Sequence, residues 1–572
     1  MNPGSIFFNK KYSFIYTILF SLLISSLIFI IFCDIRILNP THTKWLMPGD
    51  SEAHWLNWLF YQQSPLFQIP FFQNYAYGEE LSLTITLNDS IPLMAFIFKA
   101  FQNYIPFESQ YFGIWVFVCF FCQSLFSIKL LSRFSSDDVL ILLFSIFFVL
   151  SPVFLWRLWG HYSLMAHWLI LAAFYIYFSS RFNFFNWLIL LLISYLSSGY
   201  ISLMVCLLFT TDVLRRKTNK ELSFGQLIIF FSSFFVISLI FLYLIGYFYE
   251  GVKLSTSGFG IYKANLLAFF DGDSFWSLTF PDIYSHEFEH EGFGFLGSGT
   301  ILLTVVIFVV SLVKKESITI FSDNKQKYLV VIALALFLYA LSNNIHFGYF
   351  KLVSIPLPDF MEKLFGIVRA SGRMIWIPFY LIYLIIFINI SKSKYSTFYR
   401  IVLCCLIIFQ LFDMQKASVL FRNKTGDIDK NYASVYSEHY DGQYEYWKNN
   451  LWNSPMKSPE WGLIGKEYKR IVYIYTTNRP KRYFPLALFA ARNNMSINFG
   501  SFSRVKGHTR KMLNKRNKEE LASKSFRDDT LYYFDDDDEW LKILKSKRKF
   551  DLLKEVDGFK ILAPNYYKRG QN

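Results

Sequence analysis

The chain has 572 residues, of which 53% are hydrophobic, 20% are aromatic and only 17% are charged. The length exceeds that of one ordinary domain, and the composition excludes a disordered chain and favours a protein whose main solvent is lipid. The net charge is +15, and most of the excess positive charge lies after residue 414. This basic region indicates an anionic partner, for which the candidates are lipid headgroups, a polyanionic glycan or nucleic acid.

Nine apolar runs are long enough to span the hydrocarbon core of a membrane. They cover residues 13–32, 111–131, 139–156, 163–178, 226–247, 293–313, 328–341, 374–390 and 401–414. The first run follows two lysines and lacks a small-residue cleavage site, which predicts a retained helix and not a removed signal peptide. A further stretch, 185–214, is interrupted at Ser197, Ser198 and Gly199 and fits either one long tilted helix or two short helices.

The basic residues between the runs decide between these alternatives, because lysine and arginine concentrate on the cytoplasmic side of short loops. Two helices within 185–214 give eleven spans, and a cytoplasmic N-terminus then places the basic loops between spans in the cytoplasm. We therefore predict a mainly α, polytopic membrane protein with about 11 transmembrane helices. Its external loops would be 33–110, 248–292 and 342–373, and its C-terminal region would also be external.

Strand-like and helix-like segments alternate in the C-terminal region. In order they are 471–475, 486–493, 531–534, 537–545 and 559–562. The alternation predicts a soluble α/β domain over 415–572, following a membrane domain over 1–414. The four aspartates at 535–538 could hold a cation, but acids at the start of a helix are the favoured explanation.

The first predicted external loop gathers acids and a histidine at Asp50, Glu52 and His54, and it carries another acid at Asp89. A carboxylate beside the membrane can remove a proton from an acceptor hydroxyl or bind a divalent cation. Both roles suit transfer from a phosphate-bearing lipid. Alternatively, Asp50 and Asp89 cap the helices that follow them, which their positions permit.

Other polar residues lie at the predicted edges of spans. His161 lies in a turn between two spans, and His167 lies about one and a half turns into the next helix. An ionisable group at that depth is a functional candidate, although His167 could equally be a neutral side chain hydrogen-bonded between helices. Arg369 and Arg373, four residues apart at the mouth of a later span, would form a charged fork for a lipid phosphate, with interfacial snorkelling as the alternative.

Several of these residues belong to short motifs that follow one another in a definite order. The motifs are Gly49-Asp50, Asn88-Asp89-Ser90-Ile91-Pro92, Gln110-Tyr111-Phe112-Gly113, Gly160-His161-Tyr162, Ala166-His167-Trp168, Glu291-Gly292-Phe293, Leu296-Gly297 and Arg369-Ala370-Ser371-Gly372-Arg373. Their order and spacing resemble a bacterial multi-pass membrane family that looks like a branch of the C-type (GT-C) glycosyltransferases. The resemblance covers about residues 45–414 and continues more loosely into 485–492.

The resemblance implies a GT-C-like fold and a polyprenyl-phosphate-linked sugar as the donor. It also implies an acid in the first external loop that acts as base or as metal ligand, and Asp50 matches that acid, so a divalent cation is a candidate cofactor. We therefore expect a membrane glycosyltransferase that moves a sugar to a glycan or other cell-envelope acceptor. The reaction would take place at the outer face of the cytoplasmic membrane.

The remaining candidate residues receive roles as substrate ligands. Asp89 and His161 would line the cavity, and Glu291 would bind sugar hydroxyls. Arg369 and Arg373 would hold the phosphate left behind, stabilising its charge as it develops.

Two other function classes compete with this expectation. A transporter or flippase would also have many spans, but such proteins usually show internal repeats with paired broken helices, and the sequence shows no such repeat. A catalytically inactive scaffold for glycan assembly is the third class. The expected partners are the lipid-linked sugar, the acceptor and membrane lipids, with no nucleic acid.

Overall fold

The computed structural model describes residues 13–47, 49–249, 253, 255–273, 275–284, 288–319, 324–426, 454–480, 482–502, 504–505, 507–545 and 548–569. The chain divides into two compact units, here named the helical unit and the mixed unit. The helical unit takes its described residues from Met1–Pro40, Phe112–Ser238 and Ser255–Asp427. The mixed unit takes its described residues from Thr41–Tyr111, Leu239–Leu254 and Ile428–Asn572.

The helices dominate both units. In chain order they are α1 (Ser13–Phe32), α2 (Asp50–Gln63), α3 (Pro92–Ala100), α4 (Phe112–Leu131), α5 (Asp138–Val149), α6 (Pro152–Leu155), α7 (Trp168–Tyr177), α8 (Phe184–Tyr195), α9 (Gly199–Thr218), α10 (Phe224–Leu244), α11 (Ser298–Lys314), α12 (Asn324–Leu341), α13 (Asp359–Phe365), α14 (Trp376–Lys392), α15 (Ser396–Asp413), α16 (Gln415–Thr425), α17 (Glu460–Glu467), α18 (Tyr483–Arg492), α19 (Gly507–Ser523), α20 (Asp537–Leu544) and α21 (Tyr566–Arg569). The strands are β1 (Asn344–Phe347), β2 (Phe350–Ser354), β3 (Arg470–Tyr473), β4 (Ser496–Ile497), β5 (Thr530–Phe534), β6 (Leu552–Val556) and β7 (Phe559–Ala563).

Within the described residues, five helices are long and apolar enough to cross a membrane. They are Phe14–Phe32, Phe112–Leu131, Phe224–Leu244, Ser371–Lys392 and Ser396–Asp413. A sixth span results if α5 and the segment Pro152–Trp159, bent by 41°, count as one crossing. These helices are compatible with a membrane protein, but they are fewer than the eleven spans that the sequence predicted.

Part of the difference arises because the length of an apolar run does not fix the length of the helix that it forms. Three of the apolar helices, Tyr162–Tyr177, Phe184–Tyr195 and Ser298–Lys314, have fewer than 18 residues. Residues 185–214 do form two helices, since α8 ends at Tyr195 and α9 begins at Gly199. The turn residues therefore break this stretch as predicted.

Part of the predicted loop 342–373 is regular structure. Strands β1 and β2 form an antiparallel hairpin in which Asn344 lies opposite Ser354. Two short 3-10 turns, Gly366–Val368 and Ser371–Ile375, then lead directly into α14. Of the two arginine candidates, Arg369 directly follows the first turn and Arg373 lies in the second.

The mixed unit contains a five-stranded sheet with the order β4-β3-β5-β7-β6. Strand β3 runs parallel to β4 and β5, whereas β7 runs antiparallel to β5 and β6. Each strand or helix predicted in 471–562 is present with boundaries shifted by three residues or fewer. The prediction of an α/β fold for this region is therefore confirmed.

The sheet is stabilised by apolar side chains from the strands and from α20. Val472, Tyr532 and Leu562 are buried on three neighbouring strands and pack in one cluster with Trp540 of α20. Asp536 precedes α20 and accepts hydrogen bonds from the backbone N–H groups of Asp538 and Glu539. This acid therefore caps the helix, as the sequence analysis favoured.

The two compact units do not follow the predicted boundary at residue 414. Helix α16, beyond that boundary, belongs to the helical unit, and the first predicted external loop belongs to the mixed unit. Within the mixed unit, residues 76–78 extend the sheet beside β4, because Ile497 N donates to Ala76 O and Gly78 N donates to Ile497 O. The α/β fold is thus completed by residues that precede it by about 400 positions.

Candidate functional site

Helix α2 carries the acids of the first predicted external loop. Its N-cap is Gly49, whose φ of 111° is readily available only to glycine, and Asp50 is its first residue. Acids in the first turn of a helix are favoured by the helix dipole. Neither Asp50 nor Asp89 supplies the expected side-chain cap, because the caps of α2 and α3 are Gly49 and Ile91 and no side-chain cap hydrogen bond forms at either helix.

Arg479 from the C-terminal region forms an ion pair with Asp50. Its Nη2 donates to Oδ1 of Asp50, and its Nε donates to Oγ of Ser501 at 2.8 Å. The backbone N–H of Arg479 donates to Gly500 O at 3.0 Å, which holds the segment in place. Asp50 is therefore fixed by an arginine more than 400 residues away, a partner that the sequence analysis did not find.

Glu52, in the first turn of α2, is the most perturbed acid in this group. Only 4% of its surface is exposed, and its Oε1 accepts a hydrogen bond of 3.0 Å from the hydroxyl of Tyr483. Its Oε2 is buried and has no hydrogen-bond partner among the described residues. Burial raises the pKa of Glu52 to about 7, against the opposing effects of the Arg479 charge and the Tyr483 hydrogen bond.

These four residues, Asp50, Glu52, Arg479 and Tyr483, are here named the carboxylate cluster. They lie where the parallel strands of the mixed unit end, since Arg479 follows β3 and its partner Ser501 follows β4. Ligands of open α/β sheets bind outside the carboxyl ends of the strands. A buried carboxyl with a pKa near neutrality, at such an edge, is a candidate for proton transfer.

Acids of the first predicted external loop and arginines of the C-terminal region pair systematically within the mixed unit. The pairs are Asp50 with Arg479, Glu79 with Arg470, Glu80 with Arg516 and Glu108 with Arg492. Glu79 is the most buried of these acids, and it also accepts from Ser496 Oγ at 2.6 Å. Part of the positive charge that indicated an anionic partner is therefore neutralised inside the protein.

A second cluster lies in the helical unit and consists of Arg157, Glu291 and Arg373, here named the arginine cluster. Arg373 binds Glu291 through two parallel hydrogen bonds, Nε to Oε2 at 2.9 Å and Nη2 to Oε1 at 2.6 Å. Arg157 Nη1 donates to the same Oε2 at 3.3 Å. All three side chains are buried, so two positive charges share one negative charge away from water.

The excess positive charge falls on Arg157. Its Nε and Nη2 are buried without a hydrogen-bond partner among the described residues, and its guanidinium lies 5.2 Å from the centre of the Trp376 ring. Unpaired donors on a buried cation favour binding of an anion. Arg157 was not among the residues selected from the sequence, although a charge directly after the apolar run 139–156 is a signal that could have found it.

Close backbone packing holds the arginine cluster together. A Cβ on Gly372 would lie 2.6 Å from Cα of Gly292, so a glycine at position 372 is needed for the two turns to approach each other. A Cβ on Gly292 would lie 2.2 Å from Lys263 O, so this glycine is needed for packing against a different segment. Glu291 and Arg373, the neighbours of these glycines, are thereby brought within hydrogen-bonding distance. Gly292 and Gly372, which both belong to the motifs named in the sequence, are therefore explained by close packing of the backbone.

The pKa of Glu291 reflects its two partners. Burial alone would raise the pKa, but the charge and hydrogen bonds of Arg373, followed by the charges of Arg157 and His161, hold it well below its usual range. Both oxygens of Glu291 are used by the arginines, whereas the sequence analysis expected them to bind sugar hydroxyls. Glu291 is therefore ionised in the folded protein and orients the arginine cluster.

The structure does not join Arg369 and Arg373 into one fork. Arg373 is directed at Glu291, while the half-buried Arg369 lies over the ring of Tyr262 at 5.2 Å. Arg157, not Arg369, is the second arginine at Glu291. The predicted fork does not form because the two arginines do not lie on one helix. Arg369 directly follows the first 3-10 turn, Arg373 lies in the second, and Ala370 between the turns is not helical.

The four histidine and aspartate candidates outside the clusters have varied surroundings. His167 is fully buried and its Nδ1 lies 2.8 Å from the hydroxyl of Tyr380 on α14, which is the interhelical hydrogen bond named as the alternative. His54 is buried on α2. Asp89 is half-buried with a φ of 52°, and His161 is half-buried near Glu291.

No group of three or more His, Cys, Asp or Glu suited to a metal ion occurs in the described parts of the chain. The role of Asp50 as a metal ligand remains a prediction.

The fold defines a mainly helical protein that is compatible with a membrane and has an α/β region. The carboxylate cluster lies in the mixed unit, and the arginine cluster lies on turns beside apolar helices of the helical unit. Residues 22–415 match the family model described as Domain of unknown function (DUF6311), and residues 460–564 match the DUF6311 C-terminal domain. The chain belongs to the DUF6311 family. No curated protein sequence matches it.

Proposed function

We propose that the protein is a membrane glycosyltransferase that moves a sugar from a polyprenyl-phosphate donor to an acceptor hydroxyl at the outer face of the cytoplasmic membrane. The observation that carries the proposal is Glu52, a buried carboxyl with a pKa of about 7 and one oxygen without a partner among the described residues. A general base works best when its pKa lies near the working pH. A buried carboxyl whose pKa is strongly raised beside a specific charged partner is a candidate functional residue.

Glu52 takes the role of base that the resemblance assigned to Asp50. Asp50 is held in an ion pair with Arg479, whereas one oxygen of Glu52 has no partner among the described residues. Arg479 holds Asp50 at the start of α2, and Tyr483 orients Glu52. In the reaction, Glu52 accepts the proton of the acceptor hydroxyl, whose oxygen bonds to the anomeric carbon as the bond from that carbon to the phosphate oxygen breaks.

The arginine cluster is by itself a candidate phosphate site of the helical unit. Its net charge is positive, and Arg157 retains two buried N–H donors with no partner among the described residues. Fixed arginine donors bind the oxygens of a phosphate group and stabilise its negative charge. Glu291 keeps the two guanidinium groups in place while leaving part of their charge for a ligand.

The proposed orientation has the N-terminus in the cytoplasm and the mixed unit outside. It is supported by the way in which the mixed unit is assembled from three separate parts of the chain. These are the described residues of Thr41–Tyr111, of Leu239–Leu254, which includes the end of α10, and of the C-terminal region. Hydrogen bonds link these segments, for example from Phe71 N to Leu244 O and from Lys253 N to Arg504 O. Segments joined in this way must lie on one side of a membrane, as the basic loops predict.

The test measures release of polyprenyl phosphate by the purified protein in liposomes, with a panel of polyprenyl-phosphate-linked hexoses as donors. Glu52→Gln keeps the size of the side chain and removes the base, so the rate should fall about a hundredfold or more. The matched control is Glu108→Gln, which removes an acid from an exposed ion pair with Arg492 in the same unit and should leave the rate unchanged.

The dependence of the rate on pH separates a base from a structural acid. The wild-type rate should rise through pH 7, the pKa of Glu52, and the residual rate of Glu52→Gln should lose this rise. A normal rate in folded Glu52→Gln would remove Glu52 as base. Wild-type protein that releases no polyprenyl phosphate but moves intact donor across the bilayer would favour a flippase, and absence of both activities would favour a scaffold.

A further inference from the structure

Helix α3 of the mixed unit has the reverse of the usual arrangement for a soluble protein. Its lysine is buried, with 1% of Lys99 exposed, whereas 56% of the nearby Phe101 is exposed. Lys99 Nζ donates to Tyr61 O and to Ser64 Oγ, both at 2.6 Å, and lies over the Tyr61 ring. The positive end of this side chain is satisfied inside the protein, and the apolar side chains are turned outward.

The outward side chains form one continuous face, here named the α3 face. It consists of Leu93, Phe96, Ile97, Ala100, Phe101 and Tyr104. The spacing of three or four residues places them on one side of α3 and of the turn that follows it. Tyr104, at the end of the face, is 87% exposed.

An exposed apolar face of this size is unusual on a surface in contact with water. Two more apolar side chains, Phe67 and Ile69, are exposed in the loop after α2. Phe72, at the end of that loop, packs edge to face with Phe96 at 6.4 Å between ring centres. The loop and the α3 face are therefore neighbouring parts of one apolar surface.

The same loop is attached to the end of an apolar helix. Phe71 N donates to Leu244 O, the last residue of α10, and Thr86 Oγ1 donates to Ile245 O at 2.9 Å. Helix α10 is a candidate membrane span, and only 11% of its most apolar window is buried. A span that leaves hydrocarbon at Leu244 places the residues bonded to that end at the height of the membrane interface.

We infer that the α3 face is inserted into the lipid interface of the bilayer that α10 crosses, so that the mixed unit rests on lipid. An amphipathic helix that lies in the interface puts its aromatic and aliphatic side into the boundary between headgroups and acyl chains. Phenylalanine and tyrosine are suited to this depth. The inference does not depend on the glycosyltransferase proposal.

The experiment measures the depth of a fluorophore on the full-length protein in liposomes. A background variant replaces the exposed Cys404 and Cys405 with serine. Tyr104→Cys is then labelled with the environment-sensitive NBD group, and Lys515→Cys, on the basic helix α19, is the matched control. The label at 104 should emit at shorter wavelength and be quenched at least severalfold more than the label at 515 by lipids with brominated acyl chains.

Because Tyr104 is almost fully exposed, its replacement leaves the core unchanged, and Phe101→Cys repeats the measurement at a second position of the α3 face. Water-like emission at both positions, with no more bromine quenching than at 515, would overturn the inference. Short-wavelength emission without bromine quenching, together with self-quenching between labelled copies, would also overturn it, in favour of contact with a second copy of the chain.

Discussion

The raised pKa of Glu52 makes a prediction about stability that is separate from activity. A pKa of about 7 in the folded protein, against 4.5 for an ordinary glutamate, means that ionising Glu52 costs the folded state about 3 kcal/mol. The folded state binds this proton more tightly than the unfolded state does. The free energy of unfolding therefore falls as the pH rises from about 4.5 to about 7 and is level above that.

Replacing Glu52 with glutamine removes this cost. At pH 8 the variant should gain about 3 kcal/mol in free energy of unfolding from the removed charge. About 1–2 kcal/mol of this gain is lost, because the new amide N–H has no hydrogen-bond partner where Oε2 lay. The same penalty applies at pH 5, where only about 1 kcal/mol of the gain is left. The advantage of Glu52→Gln over the wild type should therefore be about 2 kcal/mol larger at pH 8 than at pH 5.

The assay is thermal unfolding in detergent at the two pH values, followed by tryptophan fluorescence. Glu108→Gln is the control, because its exposed pair with Arg492 should contribute about 1 kcal/mol or less at either pH. A variant that loses activity while gaining thermal stability at pH 8 would connect the buried carboxyl to function. Equal shifts in Tm at pH 5 and pH 8 would refute the reasoning, since Glu52 would then have an ordinary pKa.

Two further predictions concern the arginine cluster and the orientation. Glu291→Gln leaves two buried arginines without their counter-charge and should cost about 3–5 kcal/mol, seen as a lower Tm. Because the pKa of Glu291 is depressed, its contribution to stability is present above the ordinary glutamate pKa and is lost as the pH falls below it. The Tm values of the wild type and the variant should therefore converge in acid. A difference in Tm that stays constant with pH would contradict the ion-pair account. For the orientation, an impermeant thiol reagent on intact cells should label Ser525→Cys and not Asn219→Cys, and the reverse labelling would overturn the proposed topology.

The elements of the C-terminal region were predictable because each depends on local patterns. Short apolar strands such as β5, buried at every position, are marked by their composition and by the turns around them. The start of α20 is marked by Asp536, which caps it through a side chain two residues from its partner. Such signals need no knowledge of the rest of the chain.

The partners of the candidate residues were not predictable in this way. Asp50 pairs with Arg479, and Tyr483 reaches Glu52, across more than 400 residues of sequence. From the sequence, Asp50 was expected to be the base. In the folded chain, the buried acid with the raised pKa is its neighbour Glu52. Burial and pairing, which set a pKa, are properties of the folded chain alone.

The sequence by itself determined the apolar helices, the break between α8 and α9, and the α/β character of the C-terminal region, since periodicity and turn residues act over a few positions. Only the tertiary structure decided which charges meet. It separated Arg369 from Arg373, brought Arg157 to Glu291, and joined the first predicted external loop to the C-terminal sheet. The physical reason is that burying a charge is tolerable only beside a partner, and the partner is selected by packing between distant segments.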